Sequence, residues 1–227
     1  MTAVLIVAAG RGTRAGTDVP KQYVELGGRS VLSRTLSVFL AMPETTRVTI
    51  VIAKGDEAAY AKALEGVSDK RLTPPVIGGE TRAASVRNGL EALAGNAPET
   101  VLIHDAARPF VTPEAIRGVL SVLAVHDGGF VAVPVVDAIW RADGGFAISP
   151  QDRTNLWRAQ TPQGFRFGPI LAAHRAHKGD AADDVEVARA AGLLVRIVEG
   201  SDANFKITTP ADLARARAQL SLSEADT

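Results

Sequence analysis

Ala3-Val4-Leu5-Ile6-Val7-Ala8, running into Ala9-Gly10-Arg11-Gly12-Thr13-Arg14-Ala15-Gly16 and then Pro20-Lys21-Gln22-Tyr23, is the stretch on which the architecture turns. The apolar run has strand length, and its lack of alternation points to burial on both faces, as in a parallel sheet. The loop after it is rich in glycine and carries an arginine. Glycines let backbone N–H groups close on an anion, and Arg14 and Lys21 add charge where those amides point, so the loop offers a place for phosphates. Two other readings compete. Gly10-x-Gly12-x-x-Ala15 matches the dinucleotide fingerprint, which also demands a helix beginning within the motif and an acidic residue at the end of the next strand, about 20 residues on. Gly16, Pro20 and Gly27-Gly28 leave no room for a long helix, and the next strand-like run, Val48 to Ala53, lies too far along and ends in Lys54. A loop whose glycines serve only to turn the chain stays open here, because short glycine motifs also match by chance.

Outward from that loop the chain alternates. Ser30 is placed to cap a helix with Leu32, Leu36, Phe39 and Leu40 at helical spacing. Val48–Ile52 reads as a second buried strand, and a helix from about Asp56 to Leu64 returns the chain to Leu72–Ile77, a weaker strand whose prolines place it near an edge. Gly78-Gly79-Glu80-Thr81 turns into a helix through Ala84, Val86 and Leu90. Val101-Leu102-Ile103 is the next strand, ending in His104-Asp105-Ala106-Ala107-Arg108-Pro109. A helix from Pro113 to Val125 then leads to Phe130–Val133. The alternation predicts an α/β fold, a mainly parallel sheet with helices on both faces. Beyond Pro134 the segments 137–141 and 146–148 around Gly144-Gly145 read as a β-hairpin leaving the body as an arm, spanning about 136–156. A helix resumes at Phe167, another covers 183–190, a last strand covers 194–198, and Pro210 opens a final helix.

Composition narrows the function classes. A chain of 227 residues suits one α/β domain, 1–227. Lys plus Arg and Asp plus Glu number 25 each, so there is no basic field of the kind that holds nucleic acid, and any polyanion bound must be small. Cysteine is absent, which excludes disulfides and Cys-ligated metals. No apolar run reaches membrane-span length, and the expectation is a soluble, cytoplasmic protein with no membrane partner.

In an open α/β sheet, ligands bind beyond the carboxyl ends of the strands, where the Gly10 loop, Asp105 and Lys206 all fall. Asp105 beside a phosphate loop suggests Mg²⁺, which takes one or two carboxylates plus phosphate oxygens; a turn-forming or capping aspartate is the alternative. His104 points to the opposite face and reads as a packed histidine rather than a base. His126, His174 and His177 lack ligand spacing and are expected in solvent, and Trp140 and Trp157, which flank the arm, read as packing or interface residues rather than base-stacking platforms.

Seven motifs now stand together: the Ala8–Arg14 loop, Pro20-Lys21-Gln22-Tyr23, Arg82-x-x-Ser85-Val86, His104–Pro109, Asp152-Arg153-x-x-Leu156-Trp157, Thr161-Pro162-Gln163, and Asn204-x-Lys206-Ile207-Thr208. Over nearly its whole length the chain resembles the 2-C-methyl-D-erythritol 4-phosphate cytidylyltransferases of non-mevalonate isoprenoid biosynthesis. The resemblance implies a Rossmann-like nucleotidyltransferase domain with a protruding β-arm that interlocks two subunits, so a homodimer is expected. It implies that Ala8, Ala9, Gly10, Gly12, Gly78 and Ser85 bind CTP, that Arg14 and Lys21 hold its triphosphate, and that Lys206 reaches the α-phosphate. Asp105 would carry Mg²⁺, and Arg153 on the arm, offered by the partner subunit, would bind the phosphate of the polyol phosphate acceptor. Where relatives have threonine near that phosphate, this chain has Ala138 and Ala182. Another polyol phosphate such as ribitol 5-phosphate, or a nucleotide-binding regulator without turnover, are the competing functions.

Overall fold

The computed structural model describes residues 1–10 and 19–225, the side chains of 223–225 excepted. β1 (Thr2–Ala8) opens the chain, and after the glycine-rich loop a 3₁₀ turn, Lys21–Tyr23, leads into a small hairpin of β2 (Glu25–Leu26) and β3 (Arg29–Ser30). α1 (Val31–Leu40), β4 (Thr45–Ile52), α2 (Glu57–Ala63), β5 (Val76–Ile77), α3 (Arg82–Ala94), β6 (Thr100–Asp105), α4 (Pro113–Val122) and β7 (Gly128–Pro134) follow. Then come β8 (Ile139–Asp143), β9 (Phe146–Gln151), β10 (Trp157–Arg166), α5 (Phe167–Ala176), α6 (Asp184–Ala190), β11 (Val195–Glu199) and α7 (Pro210–Ala225). Local chemistry starts the helices where the sequence predicts. Ser30 Oγ accepts from the Ser33 amide at 3.0 Å, and Thr81 and Thr112 cap α3 and α4 in the same way.

Seven strands form the central sheet in the order β11-β7-β10-β6-β1-β4-β5. Its neighbours run parallel except at β10, which is antiparallel to both β6 and β7. The period-2 geometry of a strand sends the β1 run to two cores at once. Val4, Ile6 and Ala8 join Leu32, Leu36 and Phe39 of α1 and Ile116 and Val119 of α4. Ala3 and Leu5 join Val86 and Leu90 of α3, Ile170 of α5 and Val187 of α6 on the other face. Gly89 lets α3 lie directly on β1: a Cβ there would fall 2.4 Å from Leu5 Cδ1. That close approach carries the first turn of α3, with Arg82 and Ser85, to the carboxyl end of β1.

Two segments differ from the sequence reading. Residues 157–166 form a strand at the middle of the sheet, where no strand was expected. Buried Gln160, Thr161 and Gln163 break the apolar signature, and Pro162 lacks the N–H that a central strand needs. The ladder to β7 steps from Ala159 straight to Gln163, so the polar segment bulges and its side chains bond to neighbouring loops. The Leu72–Ile77 strand shrinks to Val76–Ile77 plus a single bridge from Leu72 to Val48, because Pro74 and Pro75 interrupt it; it lies at the sheet edge, as the prolines predict.

β8 and β9 form a separate antiparallel pair, turned by Gly144 and Gly145 at φ of 53° and 87°, the positive values favoured in two-residue hairpin turns. Phe146 and Ile148 are 76% and 60% exposed on this arm, with Trp140 at 55%. Among the described residues no helix is long and apolar enough to cross a membrane.

Candidate active site

A cavity of about 540 Å³ opens at the carboxyl ends of β1 and β6, between the start of α3 and the loop after β11. Ala8, Ala9, Gly10 and Ser85 line it together with Lys21, Asp105 and Lys206, so seven of the predicted site residues meet there. Gly78 sits behind the same wall: a Cβ would lie 2.7 Å from Ser85 Oγ and 2.8 Å from Ala9 Cβ. Ser85 Oγ donates to the Thr81 carbonyl at 2.9 Å and accepts from the Gly79 amide at 3.1 Å, which shapes the 78–81 turn. Gly12 and Arg14 lie outside the described residues. Arg153 is exposed on the arm, where its Nη1 donates to the Val136 carbonyl, and it does not line the cavity; Ala138 and Ala182 are exposed as well.

The strand exit is braced by a residue that sequence reasoning passed over. Gln22 Nε2 donates to the Ala8 carbonyl at 2.7 Å and the Gly10 carbonyl at 3.1 Å, so the turn carrying Lys21 is tied to the end of β1. Gln22 is 3% exposed. Its place inside the Pro20–Tyr23 motif was the available signal.

Asp105 is the electrostatic centre. Lys206 Nζ lies 3.0 Å and Arg108 Nε 3.4 Å from its Oδ2, and Arg82 Nε lies 3.8 Å from its Oδ1. Burial alone would push this carboxyl up, but Lys206, Arg82 and Arg108 together outweigh it and hold the group well below the usual carboxylate range. Asp105 is therefore ionised and faces the cavity.

The adjoining His104 is packed, as its strand parity predicts. Burial pushes its ring down to about 4. Its Nε2 lies 3.0 Å from the Arg108 carbonyl, which can only accept, so Nε2 carries the proton and Nδ1 accepts from the Thr161 hydroxyl at 2.9 Å. Thr161 Oγ1 in turn accepts from the Asp105 amide at 3.1 Å. With both nitrogens engaged, His104 positions the loop and is no general base. Thr35 of α1 donates to the Ala106 carbonyl at 2.8 Å, holding the same loop from below.

The bulge of β10 organises the remaining cations. Gln160 Nε2 donates to the Ser201 carbonyl at 2.9 Å and Asn204 Nδ2 to the Thr161 carbonyl at 2.9 Å, fixing the segment that presents Lys206. Gln163 Oε1 accepts from the Asp184 amide at 2.9 Å. Asp184, fully buried, accepts from Arg82 Nη2 at 2.7 Å. His174 corrects the expectation of a solvated ring: it is 2% exposed, because α5 turns it inward to within 3.2 Å of Asp184 Oδ1, off the hydrogen-bonding direction.

Among the described residues no long helix lies between Val19 and Val31, so the helix that a dinucleotide site requires is not met there. The sequence matches the family model described as IspD, 2-C-methyl-D-erythritol 4-phosphate cytidylyltransferase, over residues 2–222. The chain belongs to this family. Over 222 residues it is 57% identical to the 2-C-methyl-D-erythritol 4-phosphate cytidylyltransferase of Cereibacter sphaeroides, with 98% of each chain covered. A bifunctional IspD/IspF enzyme of Rhodobacter capsulatus is 50% identical over 218 residues, which are 96% of this chain and 55% of that one. Among solved structures, the 4-diphosphocytidyl-2C-methyl-D-erythritol synthase of Anaerococcus prevotii superposes with a TM-score of 0.83 at 30% identity, covering 97% of this chain and 96% of that one. The IspD fold thus places its strand-end cavity where the described Lys21, Asp105 and Lys206 converge.

Proposed function

We propose that this cavity binds CTP and that the chain transfers its cytidylyl group to 2-C-methyl-D-erythritol 4-phosphate, giving 4-diphosphocytidyl-2-C-methyl-D-erythritol and pyrophosphate for isoprenoid biosynthesis. The observation that carries this reading is the meeting of Lys21, Lys206 and Asp105 with the Ala9–Gly78–Ser85 wall in one cavity of an IspD-family chain. The wall is close-packed, since a side chain at Gly78 would collide with Ser85 and Ala9, and a flat surface of this kind suits a planar base; the cations suit phosphates.

In the reaction, an oxygen of the acceptor's phosphate attacks the α-phosphorus of CTP. The new P–O bond forms as the bond to the β-phosphate oxygen breaks, and pyrophosphate leaves with that electron pair. A phosphate monoester has its second pKa near 6, so the nucleophile is already ionised and needs no base, in keeping with the enclosed His104. What remains is positioning and charge neutralisation, which Lys21 and Lys206 supply from two sides of the cavity.

A divalent cation fits this donor set. Asp105 is ionised and faces the cavity, and Mg²⁺ is commonly held by one carboxylate together with substrate phosphates and waters. When bound, Mg²⁺ would neutralise charge on the triphosphate and the departing pyrophosphate. Arg153 and the apolar arm lie away from the cavity, and we assign the arm to a homodimer in which Arg153 serves the partner's acceptor site. Pyrophosphate release from CTP and Mg²⁺ with either methylerythritol phosphate or ribitol 5-phosphate tests the assignment. Turnover is expected with the first, and a higher kcat/KM with the second would overturn the acceptor.

A further inference from the structure

Asp105 is crowded by cations, yet a metal ligand needs an oxygen that they do not claim. Its Oδ2 is held by Lys206 at 3.0 Å and Arg108 at 3.4 Å. Its Oδ1 meets Arg82 Nε at 3.8 Å, beyond hydrogen-bonding distance. The reason for that gap is visible on the far side of Arg82. The guanidinium is drawn to Asp184, whose Oδ2 it reaches at 2.7 Å, and Asp184 is fully buried and anchored through its own amide to Gln163 of the central strand β10. Asp184 cannot follow Arg82 toward the cavity, so Arg82 stays with Asp184.

We infer that Asp184 is a positioning residue of nucleotidyl transfer: by holding Arg82 back, it keeps Asp105 Oδ1 open to the divalent cation that accompanies the nucleotide. The inference rests on the metal reading above and adds to it a residue outside the cavity. With Asp184 neutralised, the nearest remaining carboxylate for Arg82 is Asp105. Closing from 3.8 Å to hydrogen-bonding distance deepens the Arg82–Asp105 attraction enough, at an effective dielectric constant near 20, to cost a competing cation about tenfold in affinity.

The test is Mn²⁺ binding to the CTP-saturated full chain, read by electron paramagnetic resonance and therefore independent of turnover. Asp184→Asn should weaken Mn²⁺ about tenfold. Adding Arg82→Ala to that variant should restore it, a rescue that a merely structural role for Asp184 would not produce. Unchanged Mn²⁺ affinity in Asp184→Asn, or a double variant as weak as the single one, overturns the inference while leaving the metal reading intact. Wild-type protein that takes up no Mn²⁺ with CTP overturns both. Should Asp184→Asn fail to fold, Arg82→Ala alone decides: Mn²⁺ affinity equal to or tighter than wild type supports the inference, and weaker binding overturns it.

Discussion

Thr161→Val is the sharpest probe of how the site is held. The substitution keeps shape and volume but removes a hydroxyl that accepts from the Asp105 amide at 3.1 Å and donates to His104 Nδ1 at 2.9 Å. Both partners are buried, and neither gains access to water when the hydroxyl goes. An unsatisfied buried polar group costs about 1–3 kcal/mol, so the pair should cost roughly 2–6 kcal/mol, less any coupling between them. For a chain of this size, at about 2–4 °C per kcal/mol, that corresponds to a fall in Tm of roughly 4–24 °C. Urea and thermal unfolding followed by circular dichroism measure it, with Thr161→Ser as the control that keeps the hydroxyl and loses only a methyl group. The backbone of Asp105 also loses its tether, so kcat for pyrophosphate release should fall by about tenfold, the scale of one lost hydrogen bond. A Thr161→Val protein with wild-type unfolding midpoint and wild-type kcat would refute the argument that this hydroxyl ties the central strand to the site.

The pH dependence of folding follows from His104. Its ring, held at about 4 against an ordinary 6.5, takes its proton later in the folded chain than in the unfolded one. Stability from this group is complete above 6.5 and is lost as pH falls toward 4, by roughly 3 kcal/mol in all, and a flat unfolding free energy across that window would contradict it. Lys21→Met and Lys206→Met should each lower kcat at least ~10²-fold, the scale of one preorganised transition-state donor; near-normal steady-state kcat in both would make the cavity cations structural. Arg153→Ala should raise KM for methylerythritol phosphate far more than Ala138→Thr lowers it, since a bidentate guanidinium outweighs one hydroxyl; equal and opposite effects would sink that ranking. Sedimentation should give a dimer at micromolar concentration, and Phe146→Asp with Ile148→Asp should yield monomer; a wild-type monomer would remove the role given to the arm.

The sequence made the parallel half of the fold readable because its physics is local. β1, β4 and β6 are each built on a largely apolar run, and Ser30, Thr81 and Pro113 announce the helices that cover them. The site was readable to the same extent, since Gly10, Lys21, Asp105 and Lys206 all fall just after strands or in motifs. What escaped was β10, whose residues look like a loop because Gln160, Thr161 and Gln163 make their bonds to segments far away in the chain. Asp184 and His174 escaped for a related reason. Each is an ordinary polar residue of a helix until α5 and α6 pack against the sheet, and no spacing within either helix records which partner it will meet.

The arm leaves the body after β7 and rejoins it at β10, and these two strands are direct neighbours there. Trp157 pairs with Pro134, Arg158 with Val133, and the Val135 amide donates to the Leu156 carbonyl at 3.0 Å. The arm is thus a loop closed at its root by the sheet itself, and its two ends would stay side by side whatever lay between them. Residues 136–155 form an exchangeable cassette: another hairpin of different length or side chains can be inserted between the same two strands without moving Asp105, Lys206 or the β10 bulge. Under the assignment proposed for the arm, acceptor recognition and choice of partner subunit would then be free to change from one lineage to another while the cavity at the strand ends stays fixed.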